Sequence, residues 1–268
     1  MITIRSVQNP HVKNALRLRN RRHREHEGRI LIEGGRELLR AIHARVRLVE
    51  VFVCEPLCRS QHARQALELV AGCGAKVLRT SEPVFAKLSF GDRAEGVIGV
   101  AATPATDLAD LALPDCPLVA VLEGVEKPGN LGAVLRSAAG AGVSALVAAD
   151  PRTDLYNPNA IRASLGTIFS VPLAAATTAE VLAWLRGRGL AVYAARVDGA
   201  VPYTKVDYRR PAAIVLGSEA EGLTAAWSAE DVTAVRLPML GVADSLNVSA
   251  TAAVLFYEAL RQRTCGAE

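Results

Sequence analysis

Leu237-Pro238-Met239-Leu240-Gly241-Val242-Ala243-Asp244-Ser245-Leu246-Asn247-Val248-Ser249 runs, near the C-terminus, straight into an apolar segment with helical spacing. Four polar residues, Ser245, Asn247, Ser249 and Thr251, stand where the chain enters that helix. A buried hydroxyl or amide without a partner costs roughly 1–3 kcal/mol. A cap supplied by Asp244 or Ser245 accounts for one of the polar residues. The run as a whole points to a helix entrance whose side chains and backbone N–H groups receive a polar ligand.

Upstream of this stretch, apolar runs alternate with amphipathic ones. Strands are expected at 117–123, 144–149, 190–197, 212–217 and 232–237, and helices at 131–141, 157–165, 178–188, 222–228 and 246–263. Strict β/α alternation implies a parallel sheet covered on both faces. Composition agrees. Half of the 268 residues are hydrophobic but only 4% aromatic, so Ala, Val and Leu must build the core. That suits a buried parallel sheet better than a β-sandwich. Residues 1–101 read as a smaller α/β unit, with strands at 29–34, 48–53, 76–79 and 96–100 and helices at 35–43, 62–72 and 81–88. The Pro/Asp/Ala-rich stretch 102–116 reads as a linker, which leaves 117–268 as the second domain.

The net charge of +4 is unevenly spread. Residues 1–50 carry twelve basic against five acidic side chains, a net +7, so the remainder is at −3. Lys13, Arg17, Arg19, Arg21, Arg22 and Arg36 belong to this front end, and 11–28 reads as a basic helix. A basic module on a near-neutral body fits polyanion binding, although a solvated helix face has the same composition. Five scattered cysteines offer no paired zinc-ligand spacing. No secretion signal and no run of ~20 apolar residues is visible, so a cytoplasmic protein without membrane association is expected.

Common α/β signatures fail one by one. Gly124-Val125-Glu126-Lys127-Pro128-Gly129 is followed by Asn130 and Leu131, so it is not a phosphate-binding P-loop. No strand leads into a dinucleotide glycine motif. Gly217-Ser218-Glu219 is not a nucleophile elbow. What remains is three segments in order: Lys127-Pro128-Gly129-Asn130-Leu131-Gly132-Ala133-Val134-Leu135-Arg136; Leu216-Gly217-Ser218-Glu219-Ala220-Glu221-Gly222-Leu223; and the stretch quoted first. Together they resemble the signature of the SpoU/TrmH (SPOUT-class) RNA 2′-O-methyltransferases. Arg162-Ala163-Ser164-Leu165-Gly166-Thr167 is similar to a further family segment. Asn9, Pro10, Val12 and Lys13 with Glu33, Gly34 and Arg36 are similar to its N-terminal pattern.

The resemblance implies an N-terminal ribosomal-protein-like RNA-binding domain and a C-terminal parallel-sheet SPOUT domain with a trefoil knot. It implies S-adenosylmethionine as cofactor, enclosed by Leu216, Gly217, Gly222, Leu237, Met239, Leu246 and Ser249. Asn130, Arg136, Glu219, Ser245 and Asn247 would face the ribose, and Arg162 would contact phosphate. Each has a plainer reading as well. Asn130 can cap a helix at Leu131, Arg136 can be a surface residue, and Gly166 can end a helix at C′. Guanidinium is protonated at any ordinary pH, so Arg136 is expected to clamp phosphate and stabilise a developing alkoxide. No metal is expected. The family implies a homodimer and an RNA substrate, ribosomal RNA first and transfer RNA second. A non-catalytic ribosome-assembly factor retaining the fold is the alternative from another class, and a different α/β nucleotide-binding enzyme is a third.

Overall fold

The computed structural model describes residues 3–90 and 94–265. The chain divides into two compact units. One comprises Met1–Pro104 with Tyr156–Ser170, the other Ala105–Leu155 with Val171–Glu268.

The first unit is built on a five-stranded mixed sheet. In chain order its elements are β1 (Thr3–Ile4), α1 (Pro10–Arg17), α2 (Arg21–Glu27), β2 (Arg29–Glu33), α3 (Gly35–His43), β3 (Leu48–Val53), α4 (Gln61–Val70), β4 (Lys76–Thr80), α5 (Glu82–Leu88) and β5 (Val97–Ala102). The strand order is β1-β4-β3-β5-β2, with β5 antiparallel to both of its neighbours. The single basic helix expected over 11–28 is two helices. Asn9 and Asn20 each accept a backbone N–H through the side chain, the first from His11 and the second from Arg22, and so start a helix. Val12 and Ala15 of α1 and Val84, Phe85 and Leu88 of α5 join Phe52, Leu78 and Ile98 in one core.

The second unit carries a seven-stranded sheet, parallel throughout. Its elements are β6 (Leu118–Glu123), α6 (Pro128–Gly140), β7 (Ala145–Ala149), β8 (Leu173–Ala176), α8 (Thr178–Gly187), β9 (Ala191–Ala195), β10 (Val201–Pro202), β11 (Ala212–Leu216), β12 (Val232–Arg236) and α9 (Val248–Thr264); α7 (Pro158–Ala163) belongs to the first unit. The order is β10-β12-β9-β11-β6-β7-β8. Val119 and Val121 of β6, with Ala213 and Val215 of β11, meet Val181 and Leu185 of α8 in one core. The alternate residues Leu118, Ala120 and Leu122 are buried too, so the strand is covered on both faces. α6 and α9 pack against each other.

Beyond the split of 11–28 and the two-residue strands β1 and β10, the structure departs from the expected elements at four places. Residues 222–228 form only a short 3-10 turn, Ala225–Ser228. Residues 105–116 are not free: Leu108 and Leu111 are buried in the core of the second unit, and the Ala175 N–H on β8 donates to the Thr106 carbonyl at 2.9 Å. Strand β8 itself, Leu-Ala-Ala-Ala, has no β-branched residue to announce it. Finally, α7, expected inside the second domain, packs on β2, and the turn after it packs on α3. Leu165 takes the C′ position expected for Gly166, at φ 53°. Its carbonyl accepts from Arg40 Nη1 at 2.7 Å. Gly166 follows at C″; a Cβ there would lie 2.9 Å from Glu37 Cα, so only glycine permits the approach.

Candidate active site

The site is assembled in the second unit beyond the carboxyl ends of β6, β9, β11 and β12, where ligands of open parallel sheets bind. Two adjoining cavities lie there, of about 600 Å³ and about 180 Å³. The larger is within the usual range for a small-molecule site. Leu216, Gly217, Gly222, Leu237, Met239 and Leu246 line it, together with Ser245 and Asn247. Ser249 stands one step back, in the first turn of α9.

Gly217 fixes the shape of one wall. A Cβ there would lie 2.2 Å from the Gly222 carbonyl carbon, so the turn can close only on glycine. Ser218 and Gly222 exchange two backbone hydrogen bonds of 3.1 Å across it. The turn is anchored from below by Glu123, the buried last residue of β6. Its Oε2 accepts the Thr224 N–H at 2.8 Å. Its Oε1 accepts the hydroxyls of Thr224 and Thr178, both at 2.8 Å.

At the junction of the cavities sits a polar cluster. Asn247, not Asp244 or Ser245, is the N-cap of α9: its Oδ1 accepts the Ser249 N–H at 2.9 Å and the Ser249 hydroxyl at 2.6 Å. Its Nδ2 is thereby turned outward, donating to Glu219 Oε1 and, at 3.5 Å, to Asn130 Oδ1. Glu219 lines both cavities and also accepts from Lys127 Nζ. The ammonium beside it holds the Glu219 carboxyl below its usual range, with Asn130 adding to the effect; the same pairing raises Lys127.

Asn130 is not a cap. The helix begins earlier, with Pro128 in its first turn, and Asn130 presents its side chain to the smaller cavity. Arg136 is exposed on α6 and lines neither cavity. Six residues of helix carry it about 9 Å along and about 120° around from Asn130. Within one chain the structure does not bring Arg136 to the cluster.

Sequence reading missed several wall residues. Arg196, Val197 and Asp198 follow β9 and line the larger cavity, with Arg196 paired to Asp198 at 2.8 Å. Their position just past a strand end was the available signal. Lys127 lines the smaller cavity; it opens the first of the three segments and stands immediately before Pro128 at a strand-to-helix turn. Arg152 bridges Glu126 at 2.6 Å and Glu221 at 2.5 Å, one from each cavity wall.

The basic front end divides by role. Arg19 Nη2 donates to the carbonyls of Lys87, Leu88 and Ser89 at 2.9–3.0 Å, closing the C-terminus of α5, and its guanidinium lies over Phe90. Arg24 is buried and donates to the Leu18 and Arg19 carbonyls. Arg21 pairs with Glu25 at 2.7 Å. Lys13, Arg17 and Arg22 are exposed and Arg36 is half-buried in the same unit, which also holds the exposed Arg162. Among the described residues no three His, Cys, Asp or Glu side chains gather as a metal-ligand set, and no helix is long and apolar enough to cross a membrane.

The second unit is a parallel α/β domain with a polar cluster at a cleft of small-molecule size, and the first unit carries the basic front end. The chain belongs to the SpoU rRNA Methylase family, whose model matches residues 117–257; residues 9–99 match the MRM3-like substrate binding domain. The family expected from the three motifs is thereby borne out. The chain is 27% identical to the 23S rRNA (guanosine(2553)-2′-O)-methyltransferase RlmP of Bacillus subtilis, over 96% of this chain and 98% of that protein. Among solved structures it is similar to an RNA 2′-O ribose methyltransferase, at 43% identity and a TM-score of 0.84, covering 98% of this chain and 99% of the other. It is also similar to the SpoU methyltransferase AviRb of Streptomyces viridochromogenes in complex with AdoMet, at 27% identity and a TM-score of 0.85, covering 96% and 98%.

Proposed function

We propose that this protein is an S-adenosylmethionine-dependent RNA ribose 2′-O-methyltransferase acting on large-subunit ribosomal RNA. The carrying observation is the Asn130–Glu219–Asn247 cluster at the mouth of a cleft large enough for the cofactor. The residues present fit that cofactor. Leu216, Leu223, Leu237 and Leu246 offer apolar surface for an adenosine, while Arg196, Asp198, Ser245 and the glycine-bounded turn offer polar contacts. Once bound, the cofactor supplies a methyl group already activated on sulfonium.

The protein's part is alignment and charge management. Asn247 is locked by its cap, so its Nδ2 has one direction. Glu219, held ionised, accepts hydrogen bonds and can orient a ribose hydroxyl. With its proton affinity lowered it is a weak base, which favours orientation over proton abstraction. Arg136 serves as phosphate clamp and oxyanion stabiliser, and a second copy of the chain is the natural source for it. Exposed Leu240, Val242, Leu246 and Tyr257 support a homodimer formed on this side of the second unit. The first unit recognises RNA, with Lys13, Arg17, Arg22, Arg36 and Arg162 as backbone contacts, and the second unit holds the cofactor. The reaction takes place in the cytoplasm.

Ribose-methylation mapping of total RNA with and without the gene tests the reading. One lost 2′-O-methyl in 23S rRNA is expected. A loss confined to transfer RNA would move the substrate, and no loss anywhere would leave the non-catalytic alternative.

A further inference from the structure

Among the described residues, Lys127 is the one cation that lines the smaller cavity. It leaves the chain at the N-cap of α6, three residues before Asn130, and reaches Glu219, which Asn247 also holds. Its side chain is 69% exposed, against 27% for Glu219. An ion pair this open contributes little, because water and salt compete with it. The two partners differ in what else restrains them. Glu219 keeps Asn247 if the lysine leaves, whereas Lys127 has four rotatable bonds and open solvent before it.

We propose that Lys127 is an RNA-backbone-binding residue of the transfer site, resting on Glu219 in the free protein and turning to a phosphate next to the target ribose when RNA docks. The proposal rests on the RNA-methylation reading for its substrate and on the cavity geometry for its place. A polyanion brought to the smaller cavity meets three carboxylates as well: Glu123, buried and held by Thr178 and Thr224, Glu126, paired to Arg152, and Glu219, paired to Lys127. A phosphate arriving there must find a cation able to leave its carboxylate. Arg152 is held from two sides, by Glu126 and Glu221; Lys127 has a single carboxylate to release. The ammonium stays charged throughout, so the exchange swaps one anion for another with no proton transfer. It also leaves Glu219 with Asn247 and Asn130 alone, freeing one lone pair for the ribose hydroxyl.

The test uses the full chain, with Lys127→Met and Lys127→Arg, and three readouts: affinity for protein-free 23S rRNA as a function of salt, KM for that RNA in methyl transfer, and affinity for S-adenosylmethionine. Each phosphate neutralised contributes about 0.7–0.9 to the log–log salt slope. Lys127→Met should lower the slope by about that much, so that between about 50 and about 200 mM salt its affinity falls roughly threefold less than wild type's. KM for RNA should rise and cofactor affinity stay unchanged. Lys127→Arg should keep the wild-type slope. An unchanged slope and KM in Lys127→Met overturn the proposal. So does a loss confined to cofactor affinity, which would make Lys127 only a strut for Glu219. Failure of the wild-type chain to methylate any RNA would instead sink the functional reading, and the salt slopes would still decide the role of Lys127.

Discussion

Asn247 and Glu219, 28 positions apart in the chain, are joined side chain to side chain, while the same asparagine caps α9 through its Oδ1, 2.9 Å from the Ser249 nitrogen. One residue thus starts a helix and aims a donor into the site. Asn247→Asp separates the roles. Its carboxylate still caps, so thermal stability should stay near wild type, but it faces Glu219 with like charge and has no donor. Methyl transfer should fall roughly 10²-fold, as for loss of one preorganised donor. Asn247→Ala should lose activity and about 0.5–2 kcal/mol of stability as well. Wild-type turnover by Asn247→Asp, measured with radiolabelled cofactor, would remove the residue from the site.

Arg136→Ala should lose roughly 10²–10³ in rate with cofactor affinity intact, because Arg136 lines neither cavity of its own chain. If a partner supplies it, mixing inactive Arg136→Ala with inactive Asn247→Ala chains should restore activity in the mixed dimers, about a quarter of all sites for random two-fold pairing. No recovery after subunit exchange would place Arg136 outside the chemistry or back in cis.

Gly217→Ala puts a methyl 2.2 Å from the Gly222 carbonyl carbon. The turn must open, so cofactor affinity measured by calorimetry should drop at least about tenfold, or 1.4 kcal/mol. Gly129→Ala, with nothing within 4 Å of the new methyl, is the control and should bind normally. Equal affinities for the two variants would contradict the cofactor's placement.

Burial raises the Glu37 carboxyl above its usual value of 4.5, with Glu95 adding to the rise and Arg36 and Arg40 opposing it. A raised folded value means that the contribution of this group is complete below the unfolded value and erodes as pH climbs through the folded one. Glu37→Gln should therefore match wild type in Tm near pH 4 and exceed it by a growing margin towards neutrality. A Tm difference that stays constant over that range would show that the carboxyl does not titrate as its burial implies.

For RNA binding, the informative reversal is Lys13, Arg17 and Arg22 to glutamate. All three are exposed. RNA affinity should weaken, its salt slope should fall by roughly 2–3 for three phosphates, and cofactor affinity should hold. Arg19→Glu should instead lower the Tm, since it removes three hydrogen bonds from the end of α5. An unchanged slope in the triple variant would mean that RNA is read elsewhere.

The sheet of the second unit was legible because β6, β7 and β11 are buried on both faces and, with β9 and β12, read as apolar runs. Strand β8 was hidden by its alanines, which fit strand and helix alike. The motifs singled out Glu219 and Asn247, which the structure joins across 28 residues. They were silent on direction: the six-residue spacing turns Arg136 about 120° from Asn130 only once both are placed on one helix, and nothing in it says that Lys127 faces towards Glu219. Charge counting likewise could not tell Arg19 and Arg24, turned inward onto carbonyls, from Arg17 and Arg22, turned to solvent.

Residues 156–170 complete a unit whose other part ends at Pro104. Translation at about 5–20 residues per second takes roughly 3–13 s to pass from Pro104 to Ser170. Throughout that interval the nascent first unit exposes the flanks of β2 and α3 on which α7 and its turn will later sit. β6, α6 and β7 are therefore all synthesised before the last part of the first unit. A fragment beginning near Asp115 inherits the complementary fault, carrying 156–170 as an orphaned segment. The boundary that separates the units in space is not one along which the gene can be cut.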